Sequence, residues 1–301
     1  MKIKKSVGYR VFNVFNILLM IILGVLFIFP YLNILAESLN DPADTLRGGL
    51  TIYPRVFTLQ NYKVILADSD IGRAAVVSVS RVVVAVILSI LVQFSAAYSL
   101  SRKGLIGKKF FVWLFTIPMF ISAGQVPLYV QISKMGLLNN FWVYILPGLF
   151  SFYNIIIIRT FIQSTIPDSL IESAHLDGAN EMQVLFKMVL PLSKPILATV
   201  ALWIMVAHWN DWTATLLYIR KSSLFTLQYI MMQLVKETER LQKLQQAAIE
   251  MGADVSNMHT KVTSESIISA QVMITTIPII CVYPFLQKYF VKGIMMGSIK
   301  G

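Results

Sequence analysis

Six stretches of this chain are each long and apolar enough to cross a lipid bilayer, and nothing constrains its fold more. A helix needs about 20 apolar residues to traverse the hydrocarbon core. The stretches run roughly over Asn13–Ala36, Gly72–Leu100, Phe110–Val130, Phe141–Gln163, Pro195–Tyr218 and Ile267–Phe285. Composition agrees. Of 301 residues, 56% are hydrophobic and only 14% are charged, against about 25% charged in an ordinary soluble domain. A water-soluble globule of this length could not hide so much apolar surface, and disordered chains are polar and highly charged. The expected fold is an all-α integral membrane protein with six transmembrane helices, one transmembrane domain over residues 1–301.

The first stretch follows Lys2, Lys4, Lys5 and Arg10, as a signal peptide would. Its apolar run exceeds the roughly 7–15 residues of a signal core, and no small-residue cleavage site closes it. A retained span is expected. The lone cysteine, Cys281, excludes an internal disulfide and lies in an apolar run, where a buried, inert thiol is expected. The histidines, His175, His208 and His259, fall in three different segments and cannot form one metal site.

Lysine and arginine set the orientation. With the N-terminus inside, segments 1–12, 99–109, 159–195 and 286–301 hold 14 basic and 4 acidic residues, and the outer segments 37–73, 131–140 and 219–266 hold 11 and 10. Basic residues favour the cytoplasmic side, so both termini are expected inside. The chain's net charge of +11 then records topology, and no nucleic-acid partner is expected. Among the outer segments, 37–71 carries the turn signals Asp41-Pro42, Gly48-Gly49 and Tyr53-Pro54. Segment 219–266 places Leu234, Thr238, Leu241, Gln245 and Ala248 at helical spacing among charges. That pattern predicts a polar helix outside the membrane, either solvated or a docking surface.

The inner connection between the fourth and fifth stretches, 164–194, has the densest local signals. Pro167 with Asp168 or Ser169 opens a helix. Glu172 lies in its first turn, where a carboxylate suits the helix dipole. Gly178 can adopt the positive φ that ends a helix. A second helix is expected over Glu181–Val189, leading to Leu190-Pro191. The expected result is a short amphipathic helix lying across one membrane face.

Glu172-Ser173-Ala174-x-x-Asp177-Gly178-Ala179, followed by Leu190-Pro191-Leu192-x-x-Pro195, resembles the EAA loop of ATP-binding-cassette importer permeases. Ser173 stands where that motif usually has Ala. Trp209-Asn210-Asp211-Trp212 is similar to a Trp-Asn-acidic-aromatic pattern of the sugar-importing branch. The tail Phe290–Gly301 and the third stretch's Pro118 and Gln125-x-Pro127-Leu128-Tyr129 resemble the MalG-like half, and within it the LplC/YtcP-type permeases of Gram-positive bacteria. The resemblance covers nearly the whole chain after the first loop. It implies a type I importer permease in a bacterial plasma membrane, translocating a carbohydrate such as an oligosaccharide. It also implies a second homologous permease, an ATPase dimer that uses ATP and Mg, and an extracellular solute-binding lipoprotein. Glu172, Ser173, Ala174, Asp177, Gly178 and Ala179 would couple this chain to the ATPase. The chain holds no phosphate-binding Gly-x-x-x-x-Gly-Lys-Ser/Thr string, so ATP hydrolysis must come from a partner. It is expected to bind no cofactor and to catalyse nothing itself.

Two ionisable residues fall within the apolar stretches, Arg81 and Asp211. Charges there are costly and should face protein or water. Both lie at similar depth in the outer half. Either they pair, or jointly line the outer cavity, or each bonds separately to backbone. His208, Trp209, Asn210, Asp211 and Trp212 combine aromatic faces that stack on sugar rings with groups that bind hydroxyls. They are substrate-path candidates with Arg81, and the alternative is an interfacial aromatic belt. The alternative cargo is a non-sugar solute such as a peptide. A lipid-carrier enzyme would need more clustered polar groups, and a secondary transporter would show internal repeats.

Overall fold

A computed structural model describes residues 7–45, 47–67, 69–121, 123–250 and 265–298. The described residues are helical apart from turns and one isolated bridge between Asn40 and Phe57. In order, the helices are α1 (Val7–Ser38), α2 (Pro42–Thr45), α3 (Gln60–Ala67), α4 (Ser69–Ser101), α5 (Lys108–Phe120) and α6 (Gln125–Lys134). Two 3-10 turns, Phe141–Tyr144 and Leu146–Gly148, precede α7 (Phe152–Thr165) and α8 (Asp168–Leu176). Then come α9 (Glu181–Gln183), a π-helical segment Val184–Val189, α10 (Leu190–Leu192), α11 (Lys194–Asn210) and α12 (Thr213–Tyr218). The last two are α13 (Leu227–Glu250) and α14 (Glu265–Ser298). The chain forms two compact units, residues 1–69 with 233–277, and 70–232 with 278–301.

In the first unit α1 exposes apolar residues around nearly its whole circumference up to Leu32. A helix that is apolar all round is suited to lipid rather than water. The segment after it, expected as turns, closes into a polar knot. Asn40 donates to the Asp44 carboxylate (3.0 Å) and to Thr45 (2.9 Å) and accepts from the Val56 amide (2.8 Å). Asn61 donates to the carbonyls of Ser38 and Asn40. Arg55 bonds the Asp44 carboxylate at 2.8 Å, and these bonds to Asn40 and Arg55 hold that carboxyl below its usual pKa. Gly48 and Gly49 turn the chain at φ +68° and +71°, which L-residues rarely adopt.

The second unit contains the core. The buried face of α4 carries small or polar residues (Ala74, Ser78, Arg81, Ala85, Ser89, Gln93, Ala97) beside Ile71, Val82 and Phe94, while Val76, Val79, Val83, Ile87 and Leu91 are exposed. Membrane helices pack on small residues and join through polar ones. Gln93 makes such a join, donating to the Leu149 carbonyl and accepting from Asn154, each at 3.0 Å. Phe94, Ile145, Ile155, Ile158, Val189 and Val200 fill the interior.

Three expected spans differ from the sequence reading. The stretch 110–130 is two helices, α5 and α6, bent by 119°. The residues between them include Gly124, at φ +83°, and Pro118 lies just before. The stretch 141–163 starts as 3-10 turns, bent by 51° from α7, because Pro147 and Gly148 interrupt α-helical bonding. The stretch 195–218 stops at Asn210 and restarts at Thr213. By length and composition α1 and α4 can each cross a bilayer, and five spans are possible if each bent pair counts as one. The sixth stretch lies on the longer α14, whose apolar part Ser266–Val282 is a shorter helix. Cys281 is exposed, not buried. In a lipid-facing helix an apolar run need not point into protein. The helix expected in 219–266 is α13, and residues 251–264 and 299–301 lie outside the described set.

Candidate functional site

The 164–194 loop is built by its caps. Pro167 supplies extended backbone ahead of α8, and Asp168 occupies the first turn. At the far end the Ala179 amide bonds the Ala174 carbonyl (2.9 Å) and the Gly178 amide bonds the His175 carbonyl (3.0 Å), with Gly178 at φ +82°. This is a Schellman closure, which needs a left-handed residue where the glycine stands. Asn180 and Gln183 then form a capping box that starts α9. The helix expected over Glu181–Val189 is present, as one α-turn that continues without a break into a π-segment. After the Pro191 ring and Ser193 the path bends by 80° into α11.

Glu172, Ser173, Asp177 and Gly178 are exposed, while Ala174 and Ala179 are half-buried against the core under α8. Ile171 is buried there with Ile162, Ile166 and Val184. Leu176 is 89% exposed. A leucine so exposed beside Glu172 and Asp177 makes this helix a protruding apolar and acidic surface.

Polar ties the sequence reading missed join this loop to the end of α4. The buried Tyr98 hydroxyl donates to the Glu181 carboxylate. Arg102 lies 3.9 Å from the same carboxylate and stacks over the Tyr98 ring. His175 donates through Nδ1 to the Ala179 carbonyl (2.9 Å) and holds Nε2 3.4 Å from Glu181. Lys103 pairs with Asp168 at 2.6 Å. That contact holds the Asp168 carboxyl below its usual pKa and raises the Lys103 ammonium. Gln163 donates to the Ser101 carbonyl. Tyr98 and Arg102, four apart at the end of an apolar stretch, were the available signal.

At the other end of the unit, Arg81 and Asp211 are brought together. The two side chains form an ion pair, and Arg81 Nη1 also donates to the Asp211 carbonyl at 2.8 Å. Asp211 has left helical geometry, and its Oδ1 caps α12 by accepting from Thr213 (2.9 Å) and Ala214 (3.1 Å). The break in the fifth stretch is therefore set by an Asx cap. Arg81 stands 4.5 Å from the Tyr144 ring centroid. The Tyr144 hydroxyl donates to the Leu224 carbonyl (2.7 Å) and lies 2.9 Å from Thr215, which bonds Thr226. Ser78 accepts from the Leu227 amide. Sequence reasoning missed Tyr144, Thr215, Thr226 and Ser78. Isolated hydroxyls in apolar stretches announce no partner.

The aromatic candidates do not lie on one helix. Trp209 is buried at the end of α11, Trp212 is half-buried beyond the break, and Asn210 is exposed. His208 packs its ring against Gly148. Among the described residues no group of His, Cys, Asp or Glu is placed to hold a metal.

The family described as binding-protein-dependent transport system inner membrane component matches residues 84–296. The chain is 36% identical over 296 residues to Protein LplC of Bacillus subtilis (strain 168), covering 97% of this chain and 96% of that protein. It is 32% identical to the polygalacturonan/rhamnogalacturonan transport system permease protein YtcP of the same organism, over 97% and 99% of the two chains. Among solved structures, one chain of a bacterial ABC transporter involved in import of the acidic polysaccharide alginate superposes with a TM-score of 0.84. It is 26% identical, and the match covers 96% of this chain and 100% of that one.

Proposed function

Because this chain belongs to the family of binding-protein-dependent transport system inner membrane components, we propose that it is the permease subunit of an ATP-driven carbohydrate importer. The cargo class is an oligosaccharide handed over by an external solute-binding protein. The chain is a transport subunit with the type I importer permease fold, not an enzyme. The observation that carries the reading is the family match, and it is supported by a short helix, α8, closed at Gly178 with Leu176 exposed beside it. The carbohydrate class rests on the names of YtcP and of the alginate importer.

In this reading the chain crosses the plasma membrane six times with both termini inside, the broken segments each counting as a span. Loop 164–194 then faces the compartment that holds ATP. A separate ATPase dimer, using ATP and Mg, grips Glu172, Ser173, Ala174, Asp177, Gly178 and Ala179, and a second homologous permease completes the pore. Closure of the ATPase would displace α8 and, through the core beneath it, tilt the helices. Segments 37–71 and 219–266 would meet the binding protein outside. Of the substrate-path candidates, Asn210, Trp212 and His208 retain accessible surface for a glycan, whereas Arg81 and Asp211 neutralise one another and hold the outer break in shape.

The test is the purified importer complex in lipid nanodiscs with its binding protein and a panel of oligosaccharides. A glycan that raises ATP hydrolysis is the expected result. No response to any glycan, with a response to peptides, would overturn the carbohydrate assignment.

A further inference from the structure

The end of α4 receives two polar ties from the 164–194 loop, one from each end of α8. Lys103–Asp168 joins the start of α8, and Tyr98 and Arg102 meet Glu181 just beyond its Schellman closure. The two are not equal. Lys103 and Asp168 have side chains 87% and 49% exposed, and exposed pairs contribute little. The Glu181 side chain is itself 59% exposed, but its partner Tyr98 is 5% exposed, and a hydroxyl that donates to a carboxylate makes the stronger kind of hydrogen bond. Beside the tie lies a crevice of about 480 Å³ lined by Ser95, Ser99, Leu105, Met182, Leu185 and Phe186. Tyr98, Arg102 and Glu181 line the same crevice, so their tie spans an opening between the end of α4 and the start of α9. A push on α8 can reach α4 through the core that Ile171 and Leu185 join, and Tyr98, Arg102 and Glu181 add a directional polar route beside it.

We propose that Glu181 and Tyr98 are positioning residues that clamp the coupling loop to the end of α4, so that displacement of α8 moves α4 with it. This deepens the permease reading and rests on it. The two residues touch neither ATP nor cargo. They act through α8, and His175 steadies Glu181 from the α8 side.

The experiment uses the assembled importer in proteoliposomes with its binding protein and the oligosaccharide from the panel that most raises hydrolysis, measuring ATP hydrolysis and uptake of that glycan together. Tyr98→Phe keeps the ring and removes the donor, and Glu181→Ala removes the acceptor. Each is expected to leave hydrolysis within about twofold and to lower uptake per ATP about tenfold, the scale of one hydrogen bond to a charged group. The double variant should be no worse than either single one, and Glu181→Gln, which still accepts, should recover part of the coupling. A purely structural role would lower assembly instead and leave uptake per ATP of the assembled fraction unchanged. Unchanged uptake per ATP in both single variants overturns the clamp while leaving the permease reading intact. A wild-type complex that shows no binding-protein-dependent hydrolysis overturns the permease reading. The clamp is then decided by spin labels at Ser99 and Met182, both exposed, in a Cys281→Ser background. Glu181→Ala should broaden their distance distribution, and an unchanged narrow one rejects the clamp.

Discussion

Removing the acid of the Arg81–Asp211 pair should destabilise this protein more than removing the base. The Arg81 side chain is 3% exposed and that of Asp211 31%. Asp211→Asn keeps the oxygen that caps α12 and deletes only the charge. It leaves a buried guanidinium without its counter-ion, a loss that costs about 3–5 kcal/mol. The Asp211 carbonyl and the Tyr144 ring remain as partners, which places the expected cost near the lower limit, about 3 kcal/mol. Asp211→Ala also removes the cap, adding about 1 kcal/mol. Arg81→Met leaves a carboxylate that reaches solvent and still accepts two amide bonds, so about 1–2 kcal/mol is expected. Combining Arg81→Met with Asp211→Asn removes both charges and should cost far less than the sum. Steric-trapping equilibrium unfolding in lipid bicelles reads these free energies directly. Equal costs for Arg81→Met and Asp211→Asn, or an additive double variant, would refute the reasoning.

Three further outcomes are expected. Gly178→Asp meets open space but forces an L-residue to φ +82°, a strain of about 1–2 kcal/mol. The protein should still insert and assemble while losing uptake and stimulated hydrolysis, and normal stimulated hydrolysis in the assembled complex would contradict the coupling role. Tyr144→Phe strands the Leu224 carbonyl and loosens Thr215, costing about 1–2 kcal/mol in the same unfolding assay. For Asp168, Lys103 lowers the folded pKa. The pairing thus adds stability above the ordinary carboxylate value of about 3.9 and loses it as pH falls through the lowered folded value. Unfolding measured from pH 5 downward should lose that dependence in Lys103→Met, and wild-type should lose it in high salt.

The sequence by itself determined that this chain belongs in a membrane, because apolar stretches of bilayer length cannot be hidden in water. It also determined the ends of α8, since Pro167, Asp168 and Gly178 act through local backbone geometry that needs no distant partner. The capping box of Asn180 and Gln183 is equally local, its two residues three apart. Tertiary structure alone decided the rest. Hydropathy averages over a window, so it cannot register that Asp211 leaves the helix to cap α12 and thereby breaks the fifth stretch. It placed Arg81 and Asp211 at similar depth but could not say that α4 and the break face each other. Nor could it separate Cys281 facing outward from Cys281 in a core, because lipid and protein interior favour the same residues. The ties from Tyr98 to Glu181 and from Tyr144 to Leu224 join positions 83 and 80 residues apart. Each is made of polar groups that match no local pattern, and only tertiary packing gives them partners, of α4 against the 164–194 loop in one case and of the turn at Tyr144 against the segment after α12 in the other.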